Sequence, residues 1–422
     1  MANTTFLKTA LAAGFIIPML EPLVEVGLGI GQLAAQPYVA PIALGAGTGA
    51  DANNAMAYAT LRAQCSSGVV APGTTIKFLS GTYEGTLQII GLLGTQAQPI
   101  TFEAASGETP IFSGSRAVGG WTNQGGGLYS TTVIPSGITK IFNLYDDGAL
   151  QTLARFPNTG FMLADVLNPI NGSLTDADLV ANPGLPQNAD LTGARIVYRY
   201  ANWGYATGQV FSHAEATGAL TFTAVGSGNL YSGNWGYYLT NSAALLDSEG
   251  EWYYDEASTT LYYRPIGGAL PTNVRISSNL GIYGVEIKTT TSTYLTFRGL
   301  TFEHYADDLL PNMNSIGGYA NGTDRGTGIR IRNGGHDHIT VENCTFRHLR
   351  IGIDDVTSIP YSSNATYRSN TFHDVYRSGI RSQCTYGAIE DNRLTNIAMI
   401  PGQTGHLFQM ATGMEVISDA MR

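Results

Sequence analysis

Two segments near the end of the chain repeat one pattern, and this repeat restricts the possible folds more than any other feature. ITVENCTFRHLRIGIDD (339–355) and ATYRSNTFHDVYRSGIRS (365–382) both contain Thr-Phe. In both, the Ile of a Gly-Ile pair follows the Phe after seven or eight residues. The residues aligned at the Phe position are 44, 26 and 22 residues apart: Phe302, Phe346, Phe372 and Leu394.

A period in the low twenties, built from short strands punctuated by Gly, Ser, Thr and Asn, is typical of a solenoid. Because the repeating units are strands, the sequence predicts an all-β chain wound as a parallel β-helix. One turn cannot bury its apolar column alone, whereas turns stacked about 4.8 Å apart form a continuous core. We expect a short amphipathic helix in DANNAMAYATLRAQ (51–64) and no long helix after it.

Four regions follow from changes in composition. Residues 1–44 contain FLKTALAAGFIIPML, which is typical either of a secretory signal or of a retained helix that packs on a neighbour. Residues 45–116 are assigned to an N-terminal cap and the first coils, and residues 291–422 to further coils. Residues 117–290 lack the repeat and are rich in Trp, Tyr and Gly, so we assign them to an inserted β-rich module.

Some positions of the repeat have structural interpretations. Asn370 and Asn392 lie two residues before the Phe position in successive turns. Stacked side-chain amides at such a position can hydrogen-bond to each other at a bend. Cys344 occupies the same position and is expected to be a small buried side chain rather than a nucleophile. A disulfide between Cys344 and Cys384 is a weak alternative, since the two belong to different columns.

Insertions into the repeat indicate where a ligand would bind. Ile329 follows the Phe position of its turn by 27 residues, and Met414 follows the Phe position of its turn by 20. In the two turns between them, the corresponding intervals are only seven and eight residues. Both expansions fall at one corner of the coil. Two long loops beside two tight turns predict a walled cleft, because solenoids often carry insertions on their binding face. Neutral growth of the loops is the alternative.

A row of charged residues is expected on the floor of that cleft. If the Ile side chain points into the core, the next residue points outward; in successive turns it is Arg330, Asp354, Arg381 and Glu415. Stacked surface ion pairs, each contributing little, are the structural alternative. A second polar column follows the Phe and places three more side chains near the corner of the insertions: His348, His373 and Asp374.

This inventory fits two chemistries. Hydrolysis of a glycosidic bond requires two carboxyl groups, for which the candidates are Asp354, Asp355 and Glu415. Elimination from a uronate polymer requires a cation and a base. The expected substrate-binding residues are Arg330, Arg381, His348, His373 and Asp374. No dense Asp/Asn loop indicates a Ca²⁺ site, which favours hydrolysis; we expect no metal and no cofactor.

Composition restricts the partners. Charged residues make up 13% of the chain, about half the usual share, and the formal net charge is −10. An acidic chain lacks the basic surface that nucleic acids and anionic membranes require, so we expect neither a nucleic acid nor a lipid substrate. The 52 Gly and 23 Tyr residues are typical of extended β architecture outside the cell, and we expect a secreted or cell-surface protein.

Several longer segments resemble a known group of proteins. FNLYDDGALQTLARFPN (142–158), GEWYYDEASTTLYYRP (250–265), the early GTYEG and PITFEA segments, and GLTFEH with GIRIRNGGHDHITVENCTF resemble secreted right-handed parallel β-helix proteins of the glycoside hydrolase and polysaccharide lyase type. The resemblance covers residues 45–422. It implies a right-handed coil, a polysaccharide or oligosaccharide substrate, and paired acids on the coil face. Asp354, Asp355 and Glu415 match those acids by position only.

Three functions therefore stay open. The first is an extracellular glycosidase that acts on a plant, algal or microbial polysaccharide. The second is a polysaccharide lyase. The third is a non-enzymatic fibre, such as a tailspike-like or surface-assembly subunit. Relatives usually continue for several coils beyond the position of Arg422, so the chain is expected to be truncated, capped or self-assembled through its N-terminal helix or its open coil end.

Overall fold

A computed structural model describes ten parts of the chain, and the account below concerns these alone: residues 36–181, 185, 189–201, 204–224, 236–288, 290–307, 325–332, 334–356, 360–397 and 414–416. The segment predicted to be a signal or a retained helix lies almost entirely outside these residues. So do most of both long insertions and the end of the chain.

The chain winds around three sheets in which every strand pairing is parallel. The first sheet contains, in spatial order, Met56–Ala57, Tyr38–Ala40, Thr75–Phe78, Ile100–Ala104, Thr293–Arg298, Asp337–Glu342, Thr366–Arg368 and Ala388–Glu390. The second contains Gly81–Glu84, Pro110–Ser113, Thr301–Glu303, Thr345–Arg347, Thr371–Val375 and Arg393–Ile397. The third contains Leu87–Ile90, Tyr283–Lys288, Thr327–Ile331, Ile351–Asp355, Ser378–Ser382 and Met414–Val416. The chain is a parallel β-helix, as predicted.

The repeated Phe forms a column of stacked rings inside the coil. Phe302 pairs with Phe346, and Phe346 with Phe372, in register along the second sheet. The ring centroids are 5.1 Å and 4.8 Å apart, with interplanar angles of 11° and 7°. These separations match the distance between neighbouring strands, so each turn places its ring on the ring below. The column continues through Phe112 to Tyr83 and is fully buried.

The repeated Gly is explained by the same column. A Cβ atom built on Gly328 would lie 2.7 Å from Cδ1 of Phe346 and 2.8 Å from the carbonyl oxygen of Gly352. A Cβ atom on Gly352 would lie 2.4 Å from Phe372 and 2.4 Å from the oxygen of Gly379. The Gly of each of these Gly-Ile pairs therefore packs against the Phe of the Thr-Phe pair in the next turn. The ring occupies the space that any larger residue at the Gly position would need.

The predicted Asn stack is confirmed. Asn370 Nδ2 donates to Asn392 Oδ1 at 3.0 Å, and Cys344 N donates to Asn370 Oδ1 at 2.9 Å. Cys344 is buried, and burial raises the pKa of its thiol to about 12, which opposes a role as nucleophile. The suggested disulfide is wrong: Cys344 and Cys384 are both free thiols.

Between residues 115 and 278 the chain leaves the coil and forms three further sheets. The four-stranded sheet contains Ala149–Leu150, Ile141–Asp146, Val274–Ser278 and Ser115–Val118. The five-stranded sheet contains Thr152–Leu153, Glu251–Asp255, Thr260–Tyr263, Leu128–Thr131 and Thr122–Gly125. The seven-stranded sheet contains Arg155–Phe156, Tyr237–Thr240, Arg195–Ala201, Gly204–Ala214, Ala219–Phe222, Ser173–Thr175 and Val166–Asn168. We call these strands the module.

The module boundaries predicted from the sequence, 117 and 290, differ at both ends from the boundaries that strand pairing gives. Tyr283–Lys288 was assigned to the module, but it pairs with coil strands on both sides. Ser115–Val118, which begins within the region assigned to the coil, pairs with Val274–Ser278 of the module. Strand pairing decides membership of a sheet, and local composition does not reveal the partner.

The described helices are short. The expected helix runs from Tyr58 to Ser66, and the other α-helix is Asp178–Ala181. Three 3₁₀ segments are Ala52–Asn54, Ala243–Leu245 and Ile266–Gly268. None of the helices in the described residues has the length and apolar character needed to cross a membrane.

Insertions concentrate at one corner of the coil. The module begins after Pro110–Ser113 of the second sheet and ends before Tyr283–Lys288 of the third. The intervals between Thr301–Glu303 and Thr327–Ile331, and between Arg393–Ile397 and Met414–Val416, occur at the same corner. The predicted clustering of insertions is confirmed. The two predicted loop walls lie mostly outside the described residues.

Candidate functional site

The predicted charge ladder exists in the register of the third sheet. Arg330 pairs with Asp354, Asp354 with Arg381, and Arg381 with Glu415. The same column continues to Glu286, which pairs with Arg330. We refer to Glu286, Arg330, Asp354, Arg381 and Glu415 as the ladder. Acids and arginines alternate along it, so each acid is separated from the next by two turns of the coil.

Asp354 is held on both sides within the ladder. Its Oδ2 accepts from Arg330 Nη1 at 3.2 Å, and its Oδ1 accepts from Arg381 Nη1 at 3.2 Å. Both contacts are charge-assisted hydrogen bonds, which fix the plane of the carboxylate. Asp354 and Arg381 are 0% and 1% exposed. The interpretation of the ladder as exposed charge is therefore wrong: these side chains lie on the outer face of the sheet, but other parts of the chain cover them.

A second buried ion pair adjoins the ladder. Arg350 Nη1 donates to Asp307 Oδ2 at 3.3 Å, and both side chains are nearly inaccessible. Burial lowers the pKa of Arg350, while the carboxylates of Asp307 and Asp354 act in the opposite direction. Arg350 lies directly before Ile351–Asp355, and Asp307 follows Thr301–Glu303. The corner that carries the insertions therefore meets the ladder through this pair.

Asp355 is oriented differently from its neighbour Asp354. Its carboxylate accepts from Ser362 Oγ at 2.6 Å and from the hydroxyl of Tyr367 at 2.7 Å. Tyr367 belongs to the hydrophobic core of the coil. Successive strand residues point to opposite faces, so Asp354 faces outward and Asp355 faces the interior. The hydrogen bonds from Ser362 and Tyr367 direct the Asp355 carboxylate toward the interior and away from Asp354, so the catalytic role expected of Asp355 stays a prediction that the geometry does not favour.

Asp355 instead makes the fold sensitive to pH. Burial and the nearby Asp354 raise the pKa of Asp355 to about 7, although hydrogen bonds from Ser362 and Tyr367 oppose the shift. In the unfolded chain an Asp titrates near a pKa of about 3.9. Between these values the folded protein holds a proton that the unfolded chain has lost. The contribution to stability is thus complete below about pH 4 and is lost as the pH rises through about 7.

We expect Asp355→Asn to remove this dependence. The difference in the free energy of unfolding between wild type and variant should change by up to about 4 kcal/mol between pH 4 and 8, in the direction that favours the variant at high pH. Urea unfolding of both proteins at a series of pH values measures this difference in the free energy of unfolding. Other titrating groups are common to both proteins and cancel in the difference. Parallel stability curves would show that Asp355 does not titrate in this range.

The second polar column is confirmed and forms a corner of histidines. Glu303, Arg347 and His373 are in register in the second sheet. The residues that follow them all have left-handed backbone conformations, with φ between 48° and 62°: His304, His348 and Asp374. His, Asn and Asp tolerate this conformation better than most residues, which explains their choice at a repeated bend.

The inner part of this corner anchors the module. Tyr145, in Ile141–Asp146 of the module, stacks on His304 with ring centroids 3.7 Å apart. The hydroxyl groups of Tyr145 and Tyr376 are 2.9 Å apart. His304 Nδ1 lies 2.9 Å from Ser115 Oγ, and burial lowers the pKa of His304 well below its usual value. A neutral, buried His304 therefore stabilises the contact between module and coil.

The outer part of the corner is accessible and contains an oriented base. His373 Nδ1 lies 2.8 Å from Asp374 Oδ2, and the two side chains are 31% and 29% exposed. Asn396 Nδ2 donates to Asp374 Oδ1 at 3.0 Å. Arg347, one turn away from His373, is bound to Glu303 Oε2 with Nε at 2.9 Å. A carboxylate on Nδ1 leaves Nε2 of the same imidazole to exchange a proton with a ligand.

Sequence reasoning missed three residues of these sites: Glu286, Asp307 and Tyr145. Glu286 was detectable, because Gly284-Val285-Glu286 has the same arrangement as Gly328-Ile329-Arg330, with Val replacing Ile. Asp307 and Tyr145 contribute through contacts with residues 43 and 231 positions away, Arg350 and Tyr376. No local pattern marks such partners. In the described residues, no group of three or more His, Cys, Asp or Glu side chains is arranged to hold a metal ion.

Comparison with known proteins agrees with the coil. A family model for a right-handed β-helix region matches residues 261–419. A solved structure described as a glycoside hydrolase superimposes with a TM-score of 0.69 at 18% identity, covering 87% of this chain and 74% of that one. This chain is a right-handed parallel β-helix protein similar to glycoside hydrolases. A second family model, for the GH141 insertion domain, matches residues 228–266, within the module.

Another solved structure, described as the complex of XylC with xylose, superimposes with a TM-score of 0.51 at 12% identity. The alignment covers 90% of this chain but 56% of that one, so the present chain spans little more than half of its length. At these identities the two superpositions show the fold. No curated protein sequence matches the chain.

Proposed function

We propose that this protein is a glycosidase that hydrolyses a plant, algal or microbial polysaccharide through carboxylates of the ladder. The observation that carries the proposal is the column in which Asp354 lies between Arg330 and Arg381, with Glu415 in the next turn. Such a column fixes the orientation of the Asp354 carboxylate and places acidic residues at a regular backbone spacing along the sheet. The match to the GH141 insertion domain and the similarity to a glycoside hydrolase support the same class of reaction.

The spacing along the ladder favours inversion at the anomeric carbon. Asp354 and Glu415 are two turns apart, and turns of a parallel sheet repeat every 4.8 Å, which gives about 9.6 Å between their backbones. Inverting glycosidases hold their carboxyl groups roughly 6.5–9.5 Å apart to leave room for water, whereas retaining enzymes hold them at roughly 5 Å. Asp354 would take a proton from the attacking water, and Glu415 would give one to the leaving oxygen. Because Asp354 is buried in this structure, the substrate must displace part of the chain that covers it.

Substitution of either acid tests the mechanism. We expect Glu415→Gln and Asp354→Asn to lower kcat by about 10²–10⁴-fold, the contribution of general acid–base catalysis. Reducing-end release from xylan and xylo-oligosaccharides is the first assay, because one similar structure is described with xylose. The exposed Glu390→Gln is the matched control and should retain full turnover. Retained turnover in a folded Glu415→Gln protein would refute the assignment, and the first-formed anomer, observed by proton NMR, tests inversion.

A polysaccharide lyase is the second candidate, and the histidine corner favours it. The imidazole of His373, oriented by Asp374, lies beside the partly exposed Arg347. A base next to a cation suits removal of a proton adjacent to a uronate carboxyl group. Incubation with polygalacturonate or alginate, followed by ultraviolet absorbance of the unsaturated product, distinguishes the two reactions. An active lyase should lose that product in His373→Ala and keep it in Glu415→Gln.

We propose a secreted or cell-surface location, on the basis of the Gly- and Tyr-rich composition with few charged residues and the signal-like segment at the N-terminus. Expression in the native host, followed by fractionation and mass measurement of the N-terminus, tests it. A large assembly without turnover on any polysaccharide would favour the third function, a β-helix fibre.

A further inference from the structure

A groove lies in the module between the hairpin Glu251–Tyr263 of the five-stranded sheet and inner strands of the seven-stranded sheet. Its volume is about 390 Å³, within the usual range of about 300–1,000 Å³ for small-molecule sites. The groove is formed by Tyr253–Ala257 on one side, 192–195 and Gln209 on another, and Asn241 with Ser242 at one end. These residues are distant in sequence from the ladder and belong to other sheets.

The lining chemistry suits a neutral polyhydroxyl ligand. Lys140 and Arg195 contribute two positive charges, and Asp255 and Glu256 contribute two negative ones, so the groove has no net formal charge. Asp255 already accepts from Ala257 N and Ser258 Oγ in the hairpin turn. Gln209 and Asn241 add amide donors and acceptors, which can pair with adjacent hydroxyl groups. An oligosaccharide matches this balance better than a charged metabolite.

Two tyrosines, Tyr253 and Tyr254, are among the residues that line the groove. Tyr253 is half-buried in the groove and stacks against Tyr262 on the same face of the sheet, with ring centroids 6.5 Å apart and an interplanar angle of 20°. The stacked pair restricts the movement of Tyr253. A rigid tyrosine ring offers a flat apolar surface together with a polar tip, which is suited to one face of a sugar.

An unpartnered hydroxyl group is the second observation that indicates a ligand. Tyr254 is 5% exposed, and its hydroxyl oxygen has no hydrogen-bond partner among the residues that the structure describes. Tyr254 lines the groove and also an adjoining cavity of about 10 Å³, which shares Lys140, Arg195, Asn241 and Glu256 with it. Buried hydroxyl groups are nearly always hydrogen-bonded, so this hydroxyl offers a hydrogen bond to a polar ligand that enters the groove.

We propose that this groove binds a neutral oligosaccharide, as a second carbohydrate site separate from the ladder. The inference rests on the proposed function only in taking carbohydrate as the ligand class. The GH141 insertion-domain match, residues 228–266, includes the stretch that supplies Asn241, Ser242 and Tyr253–Glu256. The groove would hold a polysaccharide chain on the module while a neighbouring part of the same chain is cleaved on the coil.

Calorimetric titration of the full chain tests the groove. The Glu415→Gln background prevents turnover, and the probes are a neutral xylo-oligosaccharide, a neutral cello-oligosaccharide and an oligogalacturonate. We expect a neutral probe to bind, and Tyr254→Phe and Gln209→Ala each to weaken the module site about 3- to 10-fold. Tyr254→Phe should leave the thermal midpoint unchanged or raised, because the lost hydroxyl has no hydrogen-bond partner among the described residues. Tyr262→Phe, outside the groove, is the matched control and should not change affinity.

The outcomes separate the two proposals. Binding that is weakened by Tyr254→Phe, in a protein without turnover on any polysaccharide, supports the groove and refutes the glycosidase. Turnover together with binding that is unaffected by both Tyr254→Phe and Gln209→Ala refutes the groove and leaves the glycosidase in place. A preference for the oligogalacturonate also refutes the groove as a neutral site. If water alone is the hydrogen-bond partner of the Tyr254 hydroxyl, ligand affinity should be unchanged in both Tyr254→Phe and Gln209→Ala.

Discussion

Gly352→Ala should destabilise the coil by at least about 3 kcal/mol. The added Cβ would lie 2.4 Å from the carbonyl oxygen of Gly379 and 2.4 Å from the ring of Phe372. The first neighbour is backbone of the next turn, and the second is a ring stacked in the Phe column, so neither can move without breaking other contacts. Overpacking of a core by even small groups costs about 1–3 kcal/mol, and contact with a backbone atom raises that cost. Urea-induced unfolding followed by circular dichroism gives the change.

Gly119→Ala is the matched control for this prediction. A Cβ at Gly119 would have no heavy atom within 4 Å, and the residue lies outside the coil. We expect a change within about 1 kcal/mol, with stabilisation as the favoured direction because alanine restricts the unfolded chain. Equal stability of Gly352→Ala and Gly119→Ala would mean that the Gly position is not set by the Phe column.

Asp354→Asn should lower the free energy of unfolding by about 3–5 kcal/mol. The substitution removes the negative charge that lies between Arg330 and Arg381. These two arginine residues are 5% and 1% exposed. Each of the two buried guanidinium groups loses one charge-assisted hydrogen bond in a medium that solvates charge poorly. Denaturant unfolding at neutral pH measures the loss. Because this variant is destabilised, the turnover test depends equally on Glu415→Gln.

Glu103→Gln provides the comparison at the surface of the same coil. Glu103 pairs with Arg298 at 3.4 Å, and the two side chains are 21% and 50% exposed. Exposed ion pairs contribute about 0–1 kcal/mol, so this variant should be nearly neutral. A loss in Asp354→Asn no greater than that in Glu103→Gln would show that the ladder is solvated and that its burial does not matter energetically.

The repeat itself could be predicted from the sequence because its contacts are between equivalent positions. Phe346 meets Phe302 and Phe372, and Asn370 meets Asn392, so an alignment of turns directly gives the spatial neighbours. The register of Arg330, Asp354 and Arg381 followed in the same way. The opposite orientation of Asp354 and Asp355 was also available from strand alternation, but the two adjacent acids were grouped by chemistry instead.

The module and the burial of the site could not be predicted locally. Ser115–Val118 pairs with Val274–Ser278, about 160 residues away, and no repeat aligns these strands. Tyr145 reaches His304 and Tyr376 across the same kind of distance. The unpartnered hydroxyl of Tyr254 likewise became evident only once the strands on each side of the groove were placed.

The amino-acid sequence by itself determined the stacked turns, the interior columns and the order of charges along the ladder, because each of these is a contact between neighbouring turns repeated at a short period. The tertiary structure alone decided that Glu286, Arg330, Asp354 and Arg381 of the ladder are buried, and that the module closes on the histidine corner. Those features depend on pairings between distant segments, whose geometry is set by the assembled sheets rather than by the pattern within any one of them.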